Sequence, residues 1–138
     1  MPRASIVTKP TAASFEAAQP PPFLCTWQTG ARAAWISVAG ELDLASAPQL
    51  RQTLREAQLD ARVVVLDLRD LAFIDSSGVH VILQAARDAR REGHRLLLTR
   101  GPTQVDRVLT LMGVTEQVTI FELYRTEPAP ALLATRAA

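Results

Sequence analysis

One stretch constrains the fold more than any other: Arg62 to Arg91, which reads RVVVLDLRDLAFIDSSGVHVILQAARDARR. Val63-Val64-Val65-Leu66 is a continuous apolar run without polar alternation. Strands of this kind are usually covered on both faces, as in a sheet packed by helices. The stretch then passes through Ile74-Asp75-Ser76-Ser77-Gly78 into an amphipathic helix. Val79, Ile82, Leu83 and Ala86 fall on one face of that helix, Gln84, Arg87, Asp88 and Arg91 mostly on the other, and Gly93 ends it. A carboxylate and two hydroxyls are therefore expected at a helix N-terminus on the end of a sheet. The unpaired amides and positive dipole end there favour negative charge, which suits a phosphate.

The flanking segments extend the pattern. Residues 1–22 are rich in Ala, Pro, Ser and Thr and end in Gln19-Pro20-Pro21-Pro22; such a composition buries little and is expected to form a flexible arm. Phe23–Thr29 reads as a first strand, Gly30 as a turn and Ala34–Ala39 as a second strand, together a hairpin. Gly40-Glu41-Leu42-Asp43 leads into Ser46-Ala47-Pro48-Gln49, where Ser46 and Gln49 have the spacing of a capping box and Pro48 is tolerated in the first turn. Leu50, Leu54 and Ala57 carry that helix from about Ala47 to Leu59. Leu96-Leu97-Leu98 is a further buried strand. Gly101-Pro102 opens a third helix, with Val105, Val108, Leu109 and Met112 inward and Gly113 at its end. Val118–Leu123 is a last short strand, and residues 124–138 form an Ala/Pro-rich tail. The order ββαβαβαβ implies an α/β domain over residues 23–123: a mixed sheet of four or five strands, parallel except for its first hairpin, with right-handed crossovers and three to four covering helices.

Bulk properties exclude several functions. With 138 residues the chain holds one domain and one core. A formal net charge of +1 gives no global pull toward nucleic acid or an anionic membrane. Lys9 is the only lysine, and the arginine and alanine bias reads as codon usage rather than chemistry. Cys25 is the only cysteine, so no internal disulfide forms, and His80 with His94 provides no metal spacing. No apolar leader or membrane-length run is present, so a soluble cytoplasmic protein without cofactors is expected.

Four pieces, in this order and spacing, resemble one family. They are Gly40-Glu41-Leu42-Asp43 with Ser46-Ala47-Pro48, then Leu66-Asp67-Leu68, then Phe73-Ile74-Asp75-Ser76-Ser77-Gly78-Val79, then Leu111-Met112-Gly113-Val114. The chain resembles the STAS domain and, within it, the stand-alone anti-sigma factor antagonists of bacteria, over roughly Phe23 to Leu123. The resemblance implies a partner switch rather than an enzyme. The unphosphorylated antagonist binds an anti-sigma factor that is also a serine kinase, which frees the sigma factor. The kinase then phosphorylates the antagonist on the serine after the motif aspartate, and a serine phosphatase resets it. Carried over, the acceptor is Ser76, with Ser77 as the secondary candidate. Asp75, Gly78, His80, Glu41 and Asp43 fall on the implied docking face, and Gly78 would allow close approach of the partner backbone. His80 stands where the family commonly has glycine. A monomer is expected.

Other readings compete. Asp75 with Ser76 and Ser77 is also a good helix cap, worth about 1 kcal/mol. Glu41 and Asp43 could serve as an acid–base pair, although a solvated turn residue and a rim residue are the plainer roles. The STAS fold also suits a subunit of a lipid-transport complex or a stress-sensing scaffold, because fold alone does not decide function. A small phosphate- or nucleotide-binding enzyme module is the rival from another class. Against it, the chain lacks G-x-x-x-x-G-K-[ST], G-x-G-x-x-G and G-x-S-x-G.

Overall fold

The architecture comes from a computed structural model that describes residues 22–123. The expected arm at residues 1–22, apart from Pro22, and the tail at residues 124–138 lie outside the described residues. The elements are β1 (Leu24–Gly30), β2 (Ala33–Leu42), α1 (Ala47–Asp60), β3 (Val63–Ile74), α2 (Ser76–Arg91), β4 (Arg95–Thr99), α3 (Thr103–Leu111), a 3-10 turn (Val114–Glu116) and β5 (Thr119–Phe121). This is the expected ββαβαβαβ order. The five strands lie side by side in the order β1-β2-β3-β4-β5. β1 and β2 pair antiparallel, and β2 through β5 are parallel.

The core explains the layering. Ala34, Ile36 and Val38 of β2, Val64, Leu66 and Leu68 of β3, and Leu96 and Leu98 of β4 share one face by the two-residue period of a strand. Leu50 and Leu54 of α1, Val79, Ile82 and Ala86 of α2, and Val105 and Leu109 of α3 join them in one cluster. Every described helix therefore packs on the same side of the sheet. The other face carries a smaller cluster of Trp35 and Val65, flanked by Ala33, Leu97, Phe121 and Leu123. The apolar run at Val63–Leu66 led to an expectation of helices on both faces; among the described residues the second cover is aromatic and aliphatic side chains instead.

Several boundaries differ from expectation, for physical reasons. β3 runs to Ile74, where the buried-strand run meets the helix at Ser76, because Leu68, Leu71 and Ile74 continue the buried side through the charged positions. β2 likewise runs to Leu42, so Glu41 is a strand residue and not a turn residue. Register shifts between Ser37 and Ala39 and between Gly40 and Glu41 keep both strands in phase with the core. Gly40, with φ +90°, sits at that irregularity, and a Cβ there would stand 2.5 Å from the carbonyl oxygen of Pro22. The first turn is made by Ala31 and Arg32, with Gly30 still in the strand. Met112 lies just past α3 and is exposed, not inward.

Candidate functional site

The end of the parallel sheet presents two adjacent connections, β2 to α1 and β3 to α2. Leu42 and Ile74 are register partners, and the N–H of Asp75 donates to the carbonyl of Leu42 at 3.2 Å. The two loops are thereby tied together where their strands end.

Asp75 leaves the strand with extended backbone and caps α2. Its Oδ1 accepts the N–H of Ser77 at 2.8 Å and, more loosely, that of Gly78 at 3.4 Å. The carboxylate is thus engaged by the first turn, as a helix N-cap should be. Ser76 opens the helix, is exposed, and its hydroxyl has no hydrogen-bond partner among the described residues. Ser77 is half-buried, and His80, one turn further, is exposed. The capping reading and an available hydroxyl are therefore compatible, because different residues meet them.

Gly78 acts within the molecule. It is buried, and a Cβ on it would fall 2.6 Å from Cγ of Leu42 and 3.0 Å from Cγ1 of Ile74. The close approach it permits within the molecule is that of α2 to the strands beneath.

The β2–α1 loop is built by Asp43 and Ser46. Asp43 Oδ1 accepts the N–H groups of Ala45 at 3.0 Å and Ser46 at 3.1 Å. The Ser46 hydroxyl accepts the N–H of Asp43 at 2.9 Å and donates to the carbonyl of Glu41 at 2.8 Å. It makes no cap bond to α1, so the expected Ser46–Gln49 capping box does not form. Asp43 holds its own turn, an Asx arrangement, and Glu41 is half-buried beside its register partner Phe73. Neither geometry pairs Glu41 with Asp43 for proton transfer.

Two side chains missed in the sequence complete this end. Leu44 at the loop tip is 76% exposed and Phe73 is 45% exposed. Between them, residues 40–46 and 73–80 carry the carboxylates Glu41, Asp43 and Asp75 and no lysine or arginine. The surface is an acidic rim with apolar points around an exposed hydroxyl.

On the other face of the sheet, Asp67 forms a buried polar cluster. Arg69 donates to it through Nε at 3.0 Å and Nη2 at 2.8 Å, and Thr99 Oγ1 donates at 3.1 Å. The Thr99 hydroxyl also accepts the N–H of Leu68 at 2.8 Å, which ties β3 to β4. Burial alone would push the Asp67 carboxyl up. The guanidinium and backbone N–H of Arg69, with the Trp35 indole, outweigh burial and hold it below the usual range. Cys25 is half-buried, and burial raises its thiol pKa against a weaker lowering by the Thr53 hydroxyl. Among the described residues no group of three or more His, Cys, Asp or Glu could hold a metal ion, and no helix is long and apolar enough to cross a membrane.

The family model of the STAS domain matches residues 28–127. The chain belongs to the STAS domain family. It is 28% identical to the anti-sigma-B factor antagonist of Listeria monocytogenes over 86 residues, 62% of this chain and 75% of that one. The anti-sigma-B factor antagonist of Bacillus subtilis is also 28% identical, over 62% of this chain and 78% of its own. Among solved structures, this STAS domain shares its fold with the anti-sigma factor antagonist SpoIIAA in its unphosphorylated form. The TM-score is 0.64 at 22% identity, covering 75% of this chain and 89% of the other. The phosphorylated form of the Bacillus SpoIIAA gives a TM-score of 0.59 at 22% identity, covering 75% and 92%.

Proposed function

We propose that this STAS protein is an anti-sigma factor antagonist switched by phosphorylation of Ser76. Its relatives in Listeria and Bacillus support the antagonist role, and SpoIIAA, which shares the fold, exists in phosphorylated and unphosphorylated forms. Unphosphorylated, it binds an anti-sigma factor with serine kinase activity and so releases a sigma factor. Asp75, Ser76, Ser77 and His80, with the Glu41–Asp43 connection, form the docking face. The kinase phosphorylates Ser76, and a serine phosphatase restores the binding form.

The observation that carries this reading is the exposed, unbonded hydroxyl of Ser76 beside an Asp75 already committed to capping. Phosphorylation adds close to two negative charges at that point. The helix N-terminus offsets part of this charge, so the fold survives. A docked partner has no such compensation next to Asp75, and an unpaired charge forced into an interface costs about 2–5 kcal/mol. One group therefore switches binding without moving the backbone.

The test is a phosphosite map by mass spectrometry after incubation with candidate anti-sigma kinases and ATP, with Ser76→Ala in parallel. Phosphate on Ser76 in the wild type alone supports the switch. A folded protein that no such kinase modifies counts against it.

A further inference from the structure

The pole of the sheet opposite Ser76 has chemistry of its own. β3 spans 12 residues between the two ends, a separation of roughly 35–40 Å. At the far end, Ala31 and Arg32 make the β1–β2 turn with φ of 50° and 69°. Two-residue hairpin turns of this hand prefer Asn-Gly, because a Cβ makes the left-handed region strained. An arginine at the second position is therefore not explained by the stability of the turn itself.

The carbonyl of Arg32 accepts the N–H of Arg62 at 2.7 Å and that of Val63 at 3.3 Å, which locks the turn to the start of β3. This brings Arg32 and Arg62 to one cleft of about 270 Å³, whose lining His94, Leu59, Asp60 and Ala61 complete. Neither guanidinium makes an ion pair or hydrogen bond among the described residues, and Asp60 is the single carboxylate in the lining. The cleft is net positive, with arginine forks left open to solvent.

We propose that this cleft binds a small phosphorylated solute, its phosphoryl oxygens taken by Arg32 and Arg62 with His94 beside them. Arginine is suited to this because its planar donors match phosphate oxygens in pairs. An open depression of about 270 Å³ has room for a phosphoryl group and its immediate substituent. The strained turn then has a reason: it holds a cation at the rim, where a glycine would hold nothing. This site is independent of the switch at Ser76.

The test is a titration of the full-length, nitrogen-15-labelled protein with inorganic pyrophosphate at constant ionic strength, followed by amide chemical shifts. Saturable shifts are expected at Arg32, Arg62, Val63 and His94. Arg32→Gly and Arg62→Gln are expected to weaken binding by about tenfold or more. Arg32→Gly should also melt above wild type, since it relieves the positive φ, so its loss of binding cannot be unfolding. Shifts that do not saturate, shifts centred on residues 75–79, or unchanged binding by Arg32→Gly would each overturn the site. Vesicles containing phosphatidic acid form a separate arm. Co-sedimentation abolished by Arg32→Gly, without a response to pyrophosphate, would overturn the dissolved ligand in favour of a lipid headgroup.

Discussion

The carboxylate of Asp67 accepts the indole N–H of Trp35 at 3.2 Å across the β2–β3 pair, 32 residues apart in the chain. Trp35 is only 2% exposed, on the sheet face that no described helix covers. Asp67, Arg69 and Thr99 are buried with it. A bidentate ion pair, an indole and a hydroxyl therefore satisfy one another where an apolar cover is thin.

Asp67→Ala is expected to cost about 3–5 kcal/mol, because it removes one partner of a buried pair. The folded Asp67 carboxyl lies below its ordinary value of 3.8. Its contribution is thus fully present above that value and disappears as pH falls through the lower folded one. Urea unfolding of wild type and Asp67→Asn should show a stability gap that is constant near neutrality and closes in acid. A gap that widens in acid would show that the carboxylate is not stabilised as a charge.

Gly78→Ala tests the seating of α2. Helix propensity alone would favour alanine by roughly 0.5–1 kcal/mol. Overpacking of a well-filled core costs typically 1–3 kcal/mol, and the added Cβ meets Leu42, which has no exposed surface, at 2.6 Å. The clash should win, giving a net loss of about 1–2 kcal/mol in thermal or denaturant unfolding. Leu42→Val should recover part of that loss in the double variant, since the contact atoms belong to Leu42.

Ser46 and Gln49 separate two accounts of the α1 entry. Ser46→Ala removes a hydroxyl that joins Asp43 to Glu41 and should cost about 1 kcal/mol. Gln49→Ala should change stability by less than about 0.5 kcal/mol, as for an exposed residue with no special contact. Equal losses in both variants would instead indicate a capping box in solution.

These residues also show where the sequence was legible. Element order, the antiparallel first hairpin and the helix at Ser76 follow from hydrophobic period and caps, signals that are local. Within β3, Asp67, Arg69 and Asp70 interrupt the apolar run. Only pairing with Trp35 and Thr99, contributed by neighbouring strands, makes the Asp67–Arg69 charges compatible with a strand interior. The Ser46 hydroxyl had two local options, and Asp43 two residues after Glu41 decided between them. Gly78 looked like a surface glycine because Leu42 is 36 positions earlier in the sequence. The motif quartet located the candidate site, whereas Leu44 and Phe73 became visible only through their exposure.

Ser76→Ala should leave stability within about 0.5 kcal/mol of wild type, since the side chain is exposed and unbonded. It should bind the kinase partner and resist release by ATP, and Ser76→Glu should bind weakly. Asp75→Ala should cost about 1 kcal/mol through loss of the cap and also weaken binding. Binding of wild type and Ser76→Glu with equal affinity, measured by calorimetry, would sink the switch.

Leu44 and Phe73 provide the sharpest separation of docking from folding. Leu44 is 76% exposed at the loop tip, and Phe73 stands half-exposed beside Glu41 on the neighbouring strand. Apolar side chains held out on a rigid, acidic rim contribute nothing comparable to the fold, but they bury well against a partner, where few residues carry most of the binding energy. Leu44→Ser should therefore leave the unfolding midpoint almost unchanged while weakening partner binding by about 1–2 kcal/mol, roughly five- to thirtyfold. Phe73→Ser should weaken binding similarly, with a modest loss of stability from its buried half. Surface plasmon resonance on the immobilised kinase partner reads the first effect and thermal melting the second. Unchanged affinity in both variants would place the docking face away from this end of the sheet.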